Sequence, residues 1–274
     1  MLINLLRKLR HKKLKYFSPL WIQLGNIYRF FAPLYKFKCT QYIGKYGPFK
    51  FDPEFLFSNY EAFGNNHNRG FNHLIRNLKS VDIFFDIGAH IGLVSLPAGK
   101  EMRRTAKVIS FEPSHKNFKH LKSHVKNNSL EKKISLNQCL VGEENCQRIF
   151  YSSKKESPIN SIVKFDQLKK YKKEKLKQIT LDSFCDKSGL IPEIIKIDVE
   201  GAEINVLKGA KNILKKYKPI IYLSIHPRHI KELGSDIIEL INLIDEIGYK
   251  IEDFEGNQIS HYSLDEYLLT PKII

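Results

Sequence analysis

The sequence predicts an α/β fold, a mostly parallel sheet with helices on both faces, preceded by a basic helical extension. Three observations carry that expectation. From residue 81 onward, short apolar runs alternate with helix-patterned segments. Strands separated by helices pair in parallel and bury both faces of their sheet. Two of the runs end at Asp86 and Asp198, each followed by a glycine-containing turn, and strand carboxyl ends of this kind open a ligand crevice. The first 50 residues, by contrast, hold eleven Lys or Arg and no acid, which sets them apart from the regular region.

The chain of 274 residues accommodates one α/β domain, read as 51–274, after the extension at 1–50. Its 42% hydrophobic and 27% charged residues are an ordinary globular composition. No apolar run approaches the roughly 20 residues that span a bilayer. The apolar start Met1-Leu2-Ile3-Asn4-Leu5-Leu6 is short, and basic residues follow it rather than precede it, unlike a signal peptide. A cytoplasmic location is therefore expected. Cys39, Cys139, Cys146 and Cys185 make no C-x-x-C pair, so free thiols are expected rather than a zinc or redox motif.

The extension contributes eleven of the sixteen net positive charges. Leu2, Leu5, Leu6 and Leu9 fall at helical spacing among basic residues, and Trp21, Tyr28, Phe30, Phe31 and Tyr35 follow. A basic amphipathic helix with aromatics suits an anionic membrane surface, which makes peripheral attachment at the inner membrane face one expectation. Packing of the leucines on the domain or on a second subunit is the other. Nucleic-acid binding is not expected, because no recognition motif accompanies the charge.

The elements of the domain follow in order. Residues 81–85 form a strand, 92–103 a helix, Lys107–Phe111 a strand ending at Glu112-Pro113, and 115–128 a helix with Phe118, Leu121 and Val125 on one face. A third strand covers about 133–141. Residues 142–178 are less regular: 151–157 is read as an active-site loop and the lysine-rich run 169–175 as a solvated helix. Ile194–Ile197 is a strand, and 202–216 a helix. Ile220–Ile225 is a strand ending at His226-Pro227, and 235–247 a helix closed by Gly248. Short strands near 249–254 and 265–269 finish the sheet.

The first acid-glycine turn is Asp86-Ile87-Gly88-Ala89-His90-Ile91-Gly92. Its glycines permit close backbone approach to a ligand. Their G-x-x-x-G spacing differs from the G-x-G-x-x-G that cradles a pyrophosphate. S-adenosylmethionine has no phosphate and carries cationic groups, which the carboxylate of Asp86 suits. Glu112 ends the next strand and has two acceptor oxygens for two ribose hydroxyls. These features favour a methyltransferase and leave a nicotinamide-linked oxidoreductase open. The second turn, Asp198-Val199-Glu200-Gly201-Ala202-Glu203, crowds three acids at a strand end. Glu203 falls in the first helical turn, where negative charge is favoured.

With both turns in place, the chain resembles the FkbM family of methyltransferases. The matching stretches are Asp86-Ile87-Gly88-Ala89-His90-Ile91-Gly92, Phe111-Glu112-Pro113, Leu181-Asp182-Ser183-Phe184, the acidic turn from Ile197 to Glu203, and Val206-Leu207-Lys208-Gly209-Ala210. The resemblance covers about residues 81–250. It implies a class I methyltransferase, Rossmann-like fold with a seven-stranded sheet, S-adenosylmethionine as cofactor, and usually O-methylation. The implied acceptors are hydroxyls of sugars or surface-glycan precursors and natural-product hydroxyls or carboxyls. Carried over, Asp86, Gly88, Ala89, Gly92 and Glu112 would bind the cofactor, and Asp198 and Glu200 would lie near the transferred methyl. His90 replaces the family's usual Asn and can still donate a hydrogen bond. Ser224 stands where many members have Glu, which shifts weight to His226 and the Asp198 cluster.

Methyl transfer is an in-line displacement, so alignment of the acceptor oxygen matters most. A hydroxyl acceptor also loses a proton, and Asp198 or His226 is the expected base, with Glu200 beside them. A divalent metal is the less favoured alternative, with Asp198 and Glu200 as its ligands. His67 and Asn68, in a polar stretch before the first strand, and Asn160 and Ser161, in the central loop, are candidate acceptor contacts. The expected partner is a small-molecule or glycan acceptor, lipid-linked if the N-terminus attaches to membrane. A membrane-associated, non-catalytic binding module is the remaining alternative.

Overall fold

The computed structural model describes residues 25, 27–28, 31–65, 68–153, 171–259 and 261–272. The leucine helix expected at 2–15 lies outside them. Chain order gives strands β1 (Cys39–Ile43), β2 (Tyr46–Phe51), β3 (Ile83–Ile87), β4 (Lys107–Phe111), β5 (Ile134–Asn137), β6 (Leu140–Val141), β7 (Cys146–Ser153) and β8 (Tyr171–Ile179). Four more follow: β9 (Ile194–Ile197), β10 (Ile220–Ile225), β11 (Tyr249–Glu252) and β12 (Asp265–Pro271). The helices are α1 (Phe71–Asn77), α2 (Ser95–Glu101), α3 (His115–Asn127), α4 (Leu181–Ser188), α5 (Glu203–Lys208), α6 (Lys211–Tyr217), α7 (Pro227–Glu232) and α8 (Ile237–Glu246).

The expected seven-stranded sheet is present, in the order β11-β12-β10-β9-β3-β4-β5. Pairing is parallel from β10 through β9, β3 and β4 to β5, and β12 runs antiparallel to both of its neighbours. This is the class I methyltransferase arrangement. The strand order reverses between β3 and β9, and there the carboxyl ends diverge to leave a crevice. Helices cover both faces, so the central strands are mostly apolar, with Asp86 in β3 and Lys196 in β9 as buried charged exceptions. In β3, Phe85 and Ile87 enter one core with Ile195, Ile197, Val206 and Leu240. Phe84 enters the other with Phe49, Leu96, Val108 and Leu121.

Several elements differ from the sequence reading. The stretch read as one strand at 133–141 splits, because β6 leaves the main sheet to pair with β8. Of the run read as a solvated helix at 169–175, residues 171–175 lie in β8, which pairs antiparallel with the whole length of β7. The exposure of β8 alternates with period two: Lys173, Lys175 and Lys177 are exposed between the less exposed Glu174, Leu176 and Gln178. The helix expected at 202–216 breaks into α5 and α6 at Gly209, where a Cβ would lie 1.9 Å from the carbonyl oxygen of Gly142. The end of the expected helical extension is not helix: Cys39–Ile43 and Tyr46–Phe51 pair as the antiparallel strands β1 and β2. The four cysteines are free thiols. Among the described residues, no helix is long and apolar enough to cross a membrane.

A buried polar network ties the β1–β2 pair to the first glycine turn. His124 on α3 donates from Nδ1 to the Ile91 carbonyl at 2.9 Å and accepts the Asp52 N–H on Nε2 at 3.1 Å. The Asp52 carboxylate accepts from His120 Nδ1 at 2.9 Å and Ser123 Oγ at 2.6 Å. Burial opposes the charge of Asp52, but these donors outweigh it and hold the carboxyl well below the usual carboxylate range. Burial pushes His124 down to about 4. Below the ordinary histidine value the unfolded chain takes up a proton that the folded chain refuses. Stability should therefore fall by about 3 kcal/mol between about pH 6.5 and pH 4 through this residue alone. Thermal melts across that window should show the loss, and His124→Gln should make the decline shallower; an unchanged slope would remove His124 as its source.

Candidate active site

Gly88 follows β3 with φ +81, and a Cβ there would lie 1.9 Å from the backbone oxygen of Asp198. The two acid-glycine turns thus touch through backbone, and only glycine permits the contact. His90 is also left-handed, with φ +52, a conformation that Asn and His tolerate better than most residues. This explains how His replaces the family's usual Asn. Burial pushes its imidazole down to about 4, so the ring is neutral. Its backbone N–H donates to Glu112 Oε2 at 2.8 Å, and the Ser114 N–H donates to Glu112 Oε1 at 2.9 Å. Each oxygen keeps acceptor capacity for a further donor. Burial pushes the Glu112 carboxyl up to about 7.

Between the turns lies a cavity of 340 Å³, walled by Ala89, Leu93, Val94, Phe111 and Val141, with Glu112, Asn117 and Asn68 on its lining. Gly88, Ala89, His90, Glu112, Asp198 and Glu200 all border it. Two residues expected at the cofactor do not. Asp86 is fully buried beneath the turn: one oxygen accepts from Ser95 Oγ at 2.5 Å, and the other faces Lys196 Nζ at 3.5 Å. Gly92 packs under the turn, with Leu121 and Leu96 within 3.0 to 3.3 Å of where its Cβ would be. Both support the turn from below. Asn68 borders the cavity, whereas His67, Asn160 and Ser161 lie outside the described residues.

Lys196 is a residue the sequence reading missed. It is buried in β9, with Nζ 3.1 Å from the Gly88 carbonyl, 3.5 Å from Asp86 and 3.4 Å from Asp198 Oδ2. Burial opposes its charge, but Asp198 and Asp86 outweigh burial and raise its pKa. Burial also opposes ionisation of Asp198, and Lys196 and His226 outweigh it, so Asp198 stays a carboxylate. The signal was a single lysine inside an otherwise apolar run, since lysines are almost never fully buried unless paired.

A second cavity of 1040 Å³ shares Asn68, Asp198 and Glu200 with the first. Its other walls include Arg69, Ser224, His226, Arg228, His229 and Glu266. Glu266 on β12 pairs with Ser224 on β10, so an acid reaches this wall from the neighbouring strand although position 224 lacks one. It accepts the Gly70 N–H at 2.8 Å, and its pKa is raised, chiefly by burial. Glu200 takes φ +54, and burial pushes its carboxyl up to about 7. Backbone strain of this kind, on the order of 1–3 kcal/mol, collects at functional sites.

His226 bears on the expected base. Burial opposes its protonation, but the hydrogen bond from Nδ1 to Glu203 at 2.7 Å, with Asp198 and Glu200 nearby, pushes it up to about 9. The imidazole is therefore protonated at neutral pH, and the ordinary histidine value that recommended it as a base does not apply here. Glu203 lies in the first turn of α5, as expected, and is fully buried there, where it also holds His226.

No curated protein sequence matches the chain. Among solved structures it is similar to an FkbM methyltransferase from Methylobacillus flagellatus KT, at 24% identity and TM-score 0.47, covering 69% of this chain and 43% of that one. It is also similar to precorrin-6y C5,15-methyltransferase from Geobacter metallireducens, at 13% identity and TM-score 0.43, covering 74% and 87% of the two chains. An O-methyltransferase from Bacillus cereus in complex with SAH matches at 10% identity and TM-score 0.43, over 75% and 80%. The chain spans less than half the length of the Methylobacillus protein. The model of the methyltransferase FkbM domain matches residues 86–251. That match covers more than half of the chain, from the first acid of the β3 turn to β11, and the chain belongs to the FkbM methyltransferase family.

Proposed function

We propose that this chain is an S-adenosylmethionine-dependent O-methyltransferase acting on a hydroxyl of a sugar or surface-glycan precursor. The observation that carries the proposal is the pair of cavities that share Asn68, Asp198 and Glu200 as walls. The smaller cavity has the apolar sides and buried acid that an adenosine with two ribose hydroxyls needs. The larger has polar and charged walls suited to a polyhydroxylated acceptor. A donor and an acceptor placed in the two cavities would meet beside Asp198.

When bound, S-adenosylmethionine supplies a methyl carbon activated by the sulfonium. The chain's residues do the rest. Glu112 accepts the ribose hydroxyls, and the backbone of 88–90 forms the floor of the donor site. Asn68 and Glu266 hold acceptor hydroxyls, and the cavity walls align the reacting oxygen. Asp198 is ionised, borders both cavities, and takes the acceptor proton. A lipid-linked acceptor at the inner membrane face, approached through the basic N-terminus, is the finer form of this proposal.

A methyl-transfer assay on candidate sugar nucleotides and lipid-linked oligosaccharides, read by mass spectrometry, tests it. The expected result is a methylated sugar hydroxyl. Transfer only to a nitrogen or carbon acceptor would contradict the proposal.

A further inference from the structure

The second turn holds a donor set that alignment and proton transfer do not use in full. Glu203 is fully buried. Its Oε1 receives the Gly201 N–H at 3.0 Å and lies 2.7 Å from His226 Nδ1. That bond fixes the imidazole so that Nε2 faces Asp198 Oδ1 at 3.7 Å and Glu200 Oε2 at 3.6 Å. Both separations are too long for a hydrogen bond. They match the spacing of donors around a metal ion: bonds of about 2.1 Å put neighbouring ligands of a tetrahedral shell about 3.4 Å apart. The three donor atoms lie within 4.8 Å of one another. Lys196 engages Asp198 through Oδ2, which leaves Oδ1 facing the imidazole.

We propose that Asp198, Glu200 and His226 bind one divalent transition-metal cation in exchange for the Nε2 proton of His226, with Glu203 as the positioning residue behind His226. A carboxylate on the far nitrogen is the usual support of a metal-binding histidine, since it fixes tautomer and ring orientation. One imidazole with two carboxylates suits Mn²⁺, Co²⁺ or Zn²⁺ better than Mg²⁺ or Ca²⁺, which prefer all-oxygen shells. The donor atoms border the larger cavity, where a bound cation, with Asp198 as its ligand, would polarise an acceptor oxygen and promote its proton loss in place of Asp198 acting directly as the base. That link to chemistry rests on the methyl-transfer reading; cation binding does not.

A second cluster, Asp52, His120 and His124, has similar composition but a different state. Both His124 nitrogens are already hydrogen-bonded, to the Ile91 carbonyl and the Asp52 N–H, so no lone pair is left for a metal. It provides an internal control.

The test is calorimetric titration of the chelator-treated full chain with Mn²⁺, then with Zn²⁺. One saturable site is expected. His226→Ala and Glu200→Gln should each weaken Mn²⁺ binding at least about tenfold, Glu203→Gln by about tenfold, and His120→Gln not at all. No saturable binding at millimolar cation would overturn the proposal, as would equal binding by Glu200→Gln and wild type, or loss of binding in His120→Gln. If near-UV circular dichroism shows that His226→Ala does not fold, Glu200→Gln decides. Cation binding without methyl transfer to any acceptor would leave the site standing and remove the reading above. Methyl transfer undiminished by chelation, with no cation bound, would do the reverse.

Discussion

Gly88→Ala should abolish measurable S-adenosylmethionine binding and lower the melting temperature. The added Cβ would sit 1.9 Å from the backbone oxygen of Asp198. No side-chain rotation relieves a clash with backbone, so the ends of β3 and β9 must separate. Overpacking of this kind costs about 1–3 kcal/mol, and the left-handed φ adds about 1 kcal/mol or more. The displaced strand ends carry Asp198 on one side and the floor of the donor cavity on the other. A Kd raised at least about 100-fold, or roughly 2.7 kcal/mol, is expected by calorimetry. Wild-type affinity in a folded Gly88→Ala protein would show that the turn is not the donor site.

Asp198→Asn should lower kcat by about 10²–10⁴-fold while leaving cofactor affinity nearly intact. Asparagine keeps the shape but cannot take a proton, and it removes a negative charge between the two cavities. Lys196 retains Asp86 as a partner, so the variant should fold. The split between kcat and cofactor Kd is the useful readout. A purely structural Asp198 would lower melting temperature and binding together. Unchanged turnover would take Asp198 out of the chemistry.

Local patterns announced most of the fold and several residues that line the smaller cavity. The strands at 83–87, 107–111, 194–197 and 220–225 are short apolar runs buried on both faces, and such runs stand out in a sequence. The turn after β3 announced itself through its glycines, and Glu112 through its place at the end of β4. The turn alone left a nicotinamide enzyme open; membership in the FkbM family closes that alternative. The pairing of β7 and β8 was hidden because lysines at alternate positions resemble a solvated helix when no apolar partner stripe is visible. The burial of Asp86 beside Lys196 and Ser95 is invisible in the sequence, which fixes neither the direction of a side chain in the pleat nor its partners.

The larger cavity depends on contacts distant in sequence. Glu266 reaches the site only because β12 inserts beside β10, opposite Ser224. The protonation of His226 depends on Glu203, 23 residues away in sequence and 2.7 Å away in space. Neither relation has a local signature. An unperturbed histidine value was the natural assumption, and three converging carboxylates overturn it.

The central claim is that the cavity between Gly88, His90 and Glu112 holds S-adenosylmethionine. Calorimetry of the full chain with S-adenosylmethionine and, separately, with NAD⁺ tests it most directly. One equivalent of S-adenosylmethionine should bind, Glu112→Ala should weaken that binding, and NAD⁺ should give no saturable heat. Binding of NAD⁺ with no binding of S-adenosylmethionine would contradict it.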